Sequence, residues 1–258
     1  MKFNNPSFYR RIYCVWYRHM RVYSKNLITN GFPPFVEPLI FLFAIGLGFG
    51  KFVGEIEGVP YITFLATGLL VTTAMFTAAF ECSYGTYIRL IYDKAYDGML
   101  SSPLTAKDLL LGEILWAGTK GLFFSEAVLI MMSVLKVVDY KVCFFAPAIG
   151  FITGVMFATL SLLITSFIKD INQFNFYFSG LMSPMFFFSG VIFSLKEMPS
   201  YIKTISYFLP LTHSVNLVRA VCFSSGIKNI IPSIIYITLF SLFCGYCAIR
   251  RLTKVLID

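Results

Sequence analysis

The sequence predicts an all-α membrane protein: six transmembrane helices preceded by an amphipathic helix at the membrane interface. Three observations carry this. The chain is 57% hydrophobic and only 13% charged, with a mean hydropathy of +0.76, whereas soluble domains carry about 25% charged residues. Apolar runs of about 20 residues, the length a bilayer core requires, recur along it. The N-terminal stretch instead interleaves basic and aromatic residues at helical period. No single aqueous core could bury 29 Phe and 15 Tyr together with the aliphatic residues. Lipid is therefore the solvent for most of the chain, and the net charge of +8 has to be read by position. It is no argument for a nucleic-acid partner.

Residues 1–30 form the first unit and 31–258 a single transmembrane domain. Met1 to Val15 contains no apolar run followed by a small-residue cleavage site, so the first apolar span is expected to act as the insertion signal. Phe8, Ile12, Trp16, Met20, Tyr23 and Leu27 share one face of a helical wheel, and Arg10, Arg11, Arg18, Arg21 and Lys25 share the other. That pattern describes a helix lying in the cytoplasmic interface with its basic face toward anionic headgroups. Gly31, Pro33 and Pro34 are expected to end it and turn the chain into the membrane.

Six spans follow, at 34–52, 61–82, 107–135, 144–168, 174–193 and 230–249. With the N-terminus inside, the inner segments hold thirteen Lys and Arg residues and the outer loops seven, which places both termini in the cytoplasm. Residues 84–96 read as a short cytoplasmic helix with mixed charges, broken by Gly98 and the Ser101-Ser102-Pro103 stretch. Thr105 then stands where an N-cap belongs, with Asp108 three residues on, the pattern of a capping box. Span five holds Pro184 between Gly180 and Gly190 and is a candidate broken helix. The outer connection 194–229, punctuated by Pro199, Pro210 and Gly226, is too irregular to span and suits short re-entrant or interfacial helices.

Catalytic and cofactor signatures are missing from this chain. There is no G-x-x-x-x-G-K-[ST] loop, no H-E-x-x-H and no G-x-S-x-G. His19 and His213 read as solvated or hydrogen-bonded side chains, and the six cysteines as small packing residues, with metal or redox use of Cys244 and Cys247 the alternative. The unusual groups are the intramembrane charges Glu81, Glu113, Lys120 and Glu126. A charge at mid-bilayer costs about 2.5–3.5 kcal/mol on insertion scales, so it faces a partner, a cavity or a pathway. Glu113 and Lys120 stand two turns apart, about 10 Å, and need a partner from another helix to join them. Glu81 approaches at the depth of Glu113. Two readings stay open: a polar network that orients helices, or groups that contact substrate and transmit motion. Glu37 is expected to snorkel outward. An ion-coupled carrier using Glu113 and Lys120, and a lipid-modifying enzyme, are the competing classes. The second lacks an acid pair or metal motif.

The stretches FLFAIGLGFG (41–50), EGVPYITFLATGLL (57–70), AYDGMLSSPLTAKDLLLGEILWAGTKG (95–121) and SPMFFFSGVIFSLKEMPSYIKTISYFLPLTHSVNLVRA (183–220) resemble the membrane subunits of type-2 ABC exporters. Within these, the sequence is most similar to the nodulation-protein-J-like permeases linked to lipo-chitooligosaccharide export. The resemblance implies an inner-membrane permease without an ATPase site of its own. A separate nucleotide-binding subunit would carry ATP and Mg, two permease copies would form the pathway, and membrane lipids would surround them. It further implies that 84–96 is a coupling helix, with Arg89, Asp93, Lys94 and Asp97 turned to that partner, and that two short outer helices occupy about 198–218.

Overall fold

The computed structural model describes residues 6–223 and 230–257; the expected punctuation at Gly226 lies outside them. Helix α1 (Phe8–Lys25) forms as the wheel predicts. Its end does not fall at Gly31. The chain breaks at Asn26, and α2 (Leu27–Val53) starts there, carrying Pro33, Pro34 and Pro38 inside it and a π-helical stretch at Leu42–Leu47. Proline is compatible with a membrane helix because locally widened turns and neighbouring groups satisfy the carbonyls it leaves free. A two-stranded hairpin, β1 (Glu55–Ile56) and β2 (Val59–Pro60), then reverses the chain. Its two loop residues, Glu57 and Gly58, both have positive φ (55° and 80°), as a primed turn requires.

Helix α3 (Tyr61–Tyr92) is regular to Phe80 and widens to π-helical turns at Glu81–Gly85 and Ile88–Tyr92. The expected separate helix at 84–96 is thus an extension of α3. The short independent helix is α4 (Ala95–Leu100), which begins after Lys94 takes a left-handed conformation (φ 47°) and contains Gly98. Helix α5 (Ala106–Val134) starts at the predicted capping box, with Thr105 and Asp108 each bonded to the other's backbone amide. After α6 (Tyr140–Cys143) and α7 (Ala146–Thr165), the fifth apolar segment forms α8 at 174–188, π-helical at Phe178–Met182. At about 1.5 Å per residue it rises some 22 Å, short of a bilayer core. The helix runs through Pro184 and ends before Gly190, whose φ of 83° turns the chain away. Helices α9 (Ser200–Phe208) and α10 (Pro210–Phe223) precede α11 (Ile230–Ile257).

Among the described residues five helices, α2, α3, α5, α7 and α11, are long and apolar enough to cross a membrane. The centre is α3, α5 and α7, and it is held by backbone approach. A Cβ on Gly121 would lie 2.7 Å from the Gly150 carbonyl, and one on Gly154 3.1 Å from the Ala117 carbonyl. Gly150 and Gly154 form a G-x-x-x-G stripe, the small-residue seam by which helices pack without a hydrophobic driving force. One end of the bundle carries α1 and α4; the other carries the hairpin, α6 and α10. At that hairpin end Cys143 and Cys222 form a disulfide joining α6 to α10. This corrects the reading of all six cysteines as packing residues. Cys14, Cys82, Cys244 and Cys247 are free.

Candidate functional site

At the α1 end the buried charges form one chain. The widened turns of α3 set Glu81, Gly85 and Arg89 along one line, so the Arg89 side chain folds back over Gly85. A Cβ there would stand 3.2 Å from Arg89 Nη1. Arg89 Nη1 donates to Glu81 Oε1 at 2.8 Å, and Arg89 Nε to Glu113 Oε1 at 3.1 Å. Lys120 Nζ donates to the other oxygen of Glu81 at 2.8 Å. The order is Lys120, Glu81, Arg89, Glu113: two cations and two anions, alternating. Glu113 is 1% exposed and also accepts from the Thr86 hydroxyl at 2.6 Å and from the Tyr96 hydroxyl. Glu81 supplies the partner from another helix that the spacing of Glu113 and Lys120 requires.

Two side chains stand elsewhere than the sequence suggests. Arg89, grouped with the water-facing charges of a coupling element, is turned inward, because the two acids hold it more strongly than exposure would. His19, expected on a solvated face, is 4% exposed and lies 3.4 Å from Glu113 beside the Trp116 ring. Burial pushes its pKa down from 6.5 to about 4, against the opposing pull of Glu113. Glu126 stands apart from the chain, accepting from the Tyr140 hydroxyl at 2.8 Å toward the hairpin end. His213 is buried and bonded to the Tyr207 carbonyl at 3.0 Å.

Helix α1 docks onto α5 rather than floating. Arg11 pairs with Asp108 at 2.9 Å, Trp16 Nε1 donates to Thr119 at 3.0 Å, and the Tyr23 ring lies 4.5 Å from the Lys120 ammonium. Gly112 makes the approach possible: a Cβ at that position would meet Val15 at 2.5 Å. Beyond this region Asp93, Lys94 and Asp97 are exposed, while Tyr96 between them points inward to Glu113. The exposed α4 is thereby latched to the buried charges by one hydroxyl.

The other end of the chain opens on a cavity of about 570 Å³ between α2, α3 and α8, with Lys120 on its wall. Phe41, Phe76, Phe80 and Phe186 supply apolar surface, and Thr72, Thr73 and Thr77 a line of hydroxyls on α3. Neither this cavity nor the placing of Thr86, Tyr96 and His19 around Glu113 is legible in the sequence. The four-residue recurrence of Glu81, Gly85 and Arg89 was the one available signal for the fold-back.

A bundle of membrane-length helices, with a charged element latched to buried ion pairs that reach a cavity, fits a membrane transport subunit. The family model described as ABC-2 type transporter matches residues 10–223, and the chain belongs to that family. Among its relatives, Nodulation protein J of Sinorhizobium fredii is 33% identical over 205 residues, covering 80% of this chain and 78% of the relative. Nodulation protein J of Azorhizobium caulinodans is 30% identical over 228 residues, covering 88% and 89%. The Inner membrane transport permease YadH of Escherichia coli K12 is 21% identical over 202 residues, covering 78% and 76%. This protein is therefore a multi-pass membrane protein and a permease-type transport subunit.

Proposed function

We propose that the chain is the permease subunit of an ATP-driven exporter that moves an amphipathic substrate, of the lipo-oligosaccharide or glycolipid class, across the inner membrane. Both termini face the cytoplasm, ATP and Mg are bound by a separate nucleotide-binding subunit, and two permease copies enclose the pathway. The observation that carries this reading is the connection from α4 to the cavity. Asp93, Lys94 and Asp97 offer a charged surface to a soluble partner, and Tyr96 ties that surface to Glu113. From there Arg89 and Glu81 lead to Lys120 on the cavity wall. A partner that moves α4 differently in its two nucleotide states would change the contacts of Lys120, which is the differential interaction a conformational switch requires. The phenylalanine and threonine walls suit a substrate with an acyl part and a sugar part. Glu81 and Glu113 already hold cations, which weighs against an ion-coupled carrier that would load Glu113.

Co-purification tests the partner. A soluble ATPase should be retained by the tagged permease, and the double reversal Asp93→Lys, Asp97→Lys should release it while the permease still folds. Retention unchanged by the reversal would remove α4 from the interface. Transport that persists after ATP depletion and collapses with the proton gradient would overturn the reading.

A further inference from the structure

Among the described residues Arg219 is a cation without an anion. It stands on α10 at the hairpin end, half-buried, with its guanidinium carbon 3.6 Å from the centroid of the Phe64 ring. One terminal nitrogen donates to the carbonyls of Phe64 and Val191, at 3.4 and 3.3 Å. These are long bonds to neutral acceptors. Its Nε is buried with no hydrogen-bond partner among the described residues, and so is the hydroxyl of Ser189, two residues before Val191. Among the described residues no carboxylate lies within ion-pair distance of Arg219. Burial disfavours its charged form and Glu57 is the acid that opposes this. Glu57, however, is already engaged by Lys196 at 2.9 Å and by the Ser194 hydroxyl at 2.5 Å.

A charged group partly withdrawn from water and left without an anion is costly, and in a membrane protein such a group points to a functional site. The depth narrows the ligand. Phe64 is three residues inside the start of α3, about 4.5 Å, so Arg219 lies at the level where headgroup phosphates meet the ends of the spans. A guanidinium is a strong donor to phosphate, and with Nε enclosed and one terminal nitrogen bonded to carbonyls, Nη1 is the donor left for a ligand among the described residues.

We propose that Arg219 receives a phosphate group at the hairpin end of the bundle, carried by an anionic lipid headgroup or present as free phosphate. The site is separate from the Lys120 cavity and does not depend on the ATPase partner. The bland alternative is a strut in which Arg219 only ties the 189–195 turn to α3.

The test uses the full-length protein in nanodiscs of a neutral, phosphate-free galactolipid, with phosphatidylglycerol added in one arm and inorganic phosphate in another. Thermal unfolding of the wild type should rise by several degrees with phosphatidylglycerol, and R219Q should lose that rise. R219K, which keeps the charge without the guanidinium, should retain part of it. A rise with inorganic phosphate that R219Q also loses assigns the free anion as the ligand. Equal transitions in all arms for the wild type, or a rise that survives in R219Q, would overturn the proposal. If R219Q does not fold, R219K decides: an undiminished rise overturns it and a reduced one supports it.

Discussion

Arg89 holds two acids that would otherwise face each other inside the bundle. Its Nη1 and Nε lie 2.8 and 3.1 Å from Glu81 and Glu113, and removing one partner of a buried pair leaves an uncompensated charge worth about 3–5 kcal/mol. Arg89→Met is therefore expected to lower the thermal transition strongly. Adding Glu113→Gln should recover part of the loss, because the stranded charge disappears. A purely additive double variant would show that the two residues do not interact. His19 gives a pH dependence of definite sign. Its pKa is 6.5 unfolded and about 4 in the folded chain, since burial, aided by Arg89 and opposed by Glu113 and Glu81, disfavours the cation. Below pH 6.5 the unfolded state takes up a proton that the folded state refuses, so stability falls on acidification through pH 6.5 to 4, by up to roughly 3 kcal/mol. His19→Gln should flatten that slope in unfolding followed from pH 7 to 4. A slope unchanged by the substitution would assign it to other groups.

At the scale of elements, close backbone approach decides the packing, and glycine positions are its handle. Gly112→Val places a branched side chain where Val15 already stands, 2.5 Å from the first added carbon. Helix α1 must then lift from α5 and Trp16 must lose its bond to Thr119. Trp16 and Trp116 are the only tryptophans, so the expected outcome is a red shift of the intrinsic fluorescence with the transmembrane helices intact by circular dichroism. An unshifted spectrum would mean that α1 docks without Gly112. Much of this level was legible in the sequence. Hydropathy located α3, α5, α7 and α11 to within a few residues at their starts, because lipid leaves few alternatives to a continuous apolar helix. The capping box marked the beginning of α5, because Thr105 and Asp108 act locally. The π-helical turns of α3 and α8 were not legible, since widening a turn leaves hydropathy unchanged and depends on which neighbours satisfy the freed carbonyls. The inward turn of Arg89 follows from that geometry and was hidden with it. Proline misled at α2, where Pro33 and Pro34 read as a stop. Glycine was under-read: Gly150 and Gly154 announce the α5–α7 seam by spacing alone.

For the whole molecule the question is which end faces the cytoplasm, and two unrelated features bear on it. Thirteen Lys and Arg residues against seven would put the α1 end inside by the positive-inside rule, as proposed. The Cys143–Cys222 disulfide joins elements at the opposite end, and disulfides persist in oxidising compartments outside the cytoplasm. One is a rule of insertion and the other a rule of redox chemistry, and both agree with the proposed orientation. The free thiols complete the test, because Cys14 is exposed on α1 while Cys143 and Cys222 are tied at the hairpin end. After denaturation without reductant, a maleimide should add to four cysteines, Cys14, Cys82, Cys244 and Cys247, and after reduction to all six in the sequence. In intact spheroplasts a membrane-impermeant maleimide should reach Cys143 and Cys222 only after an impermeant reductant, and should not reach Cys14. Labelling of Cys14 from outside would invert the bundle, setting Asp93, Lys94 and Asp97 in the compartment that holds no ATP. Six labels without reductant would remove the disulfide and leave the charge count to stand alone. The predicted pattern, protected Cys14 with a reducible pair opposite, places α4 where a soluble ATPase can reach it and Arg219 where outward-facing headgroups lie. The partner proposal and the phosphate proposal thus require opposite ends of the molecule, and a single labelling experiment checks the geometry that both assume.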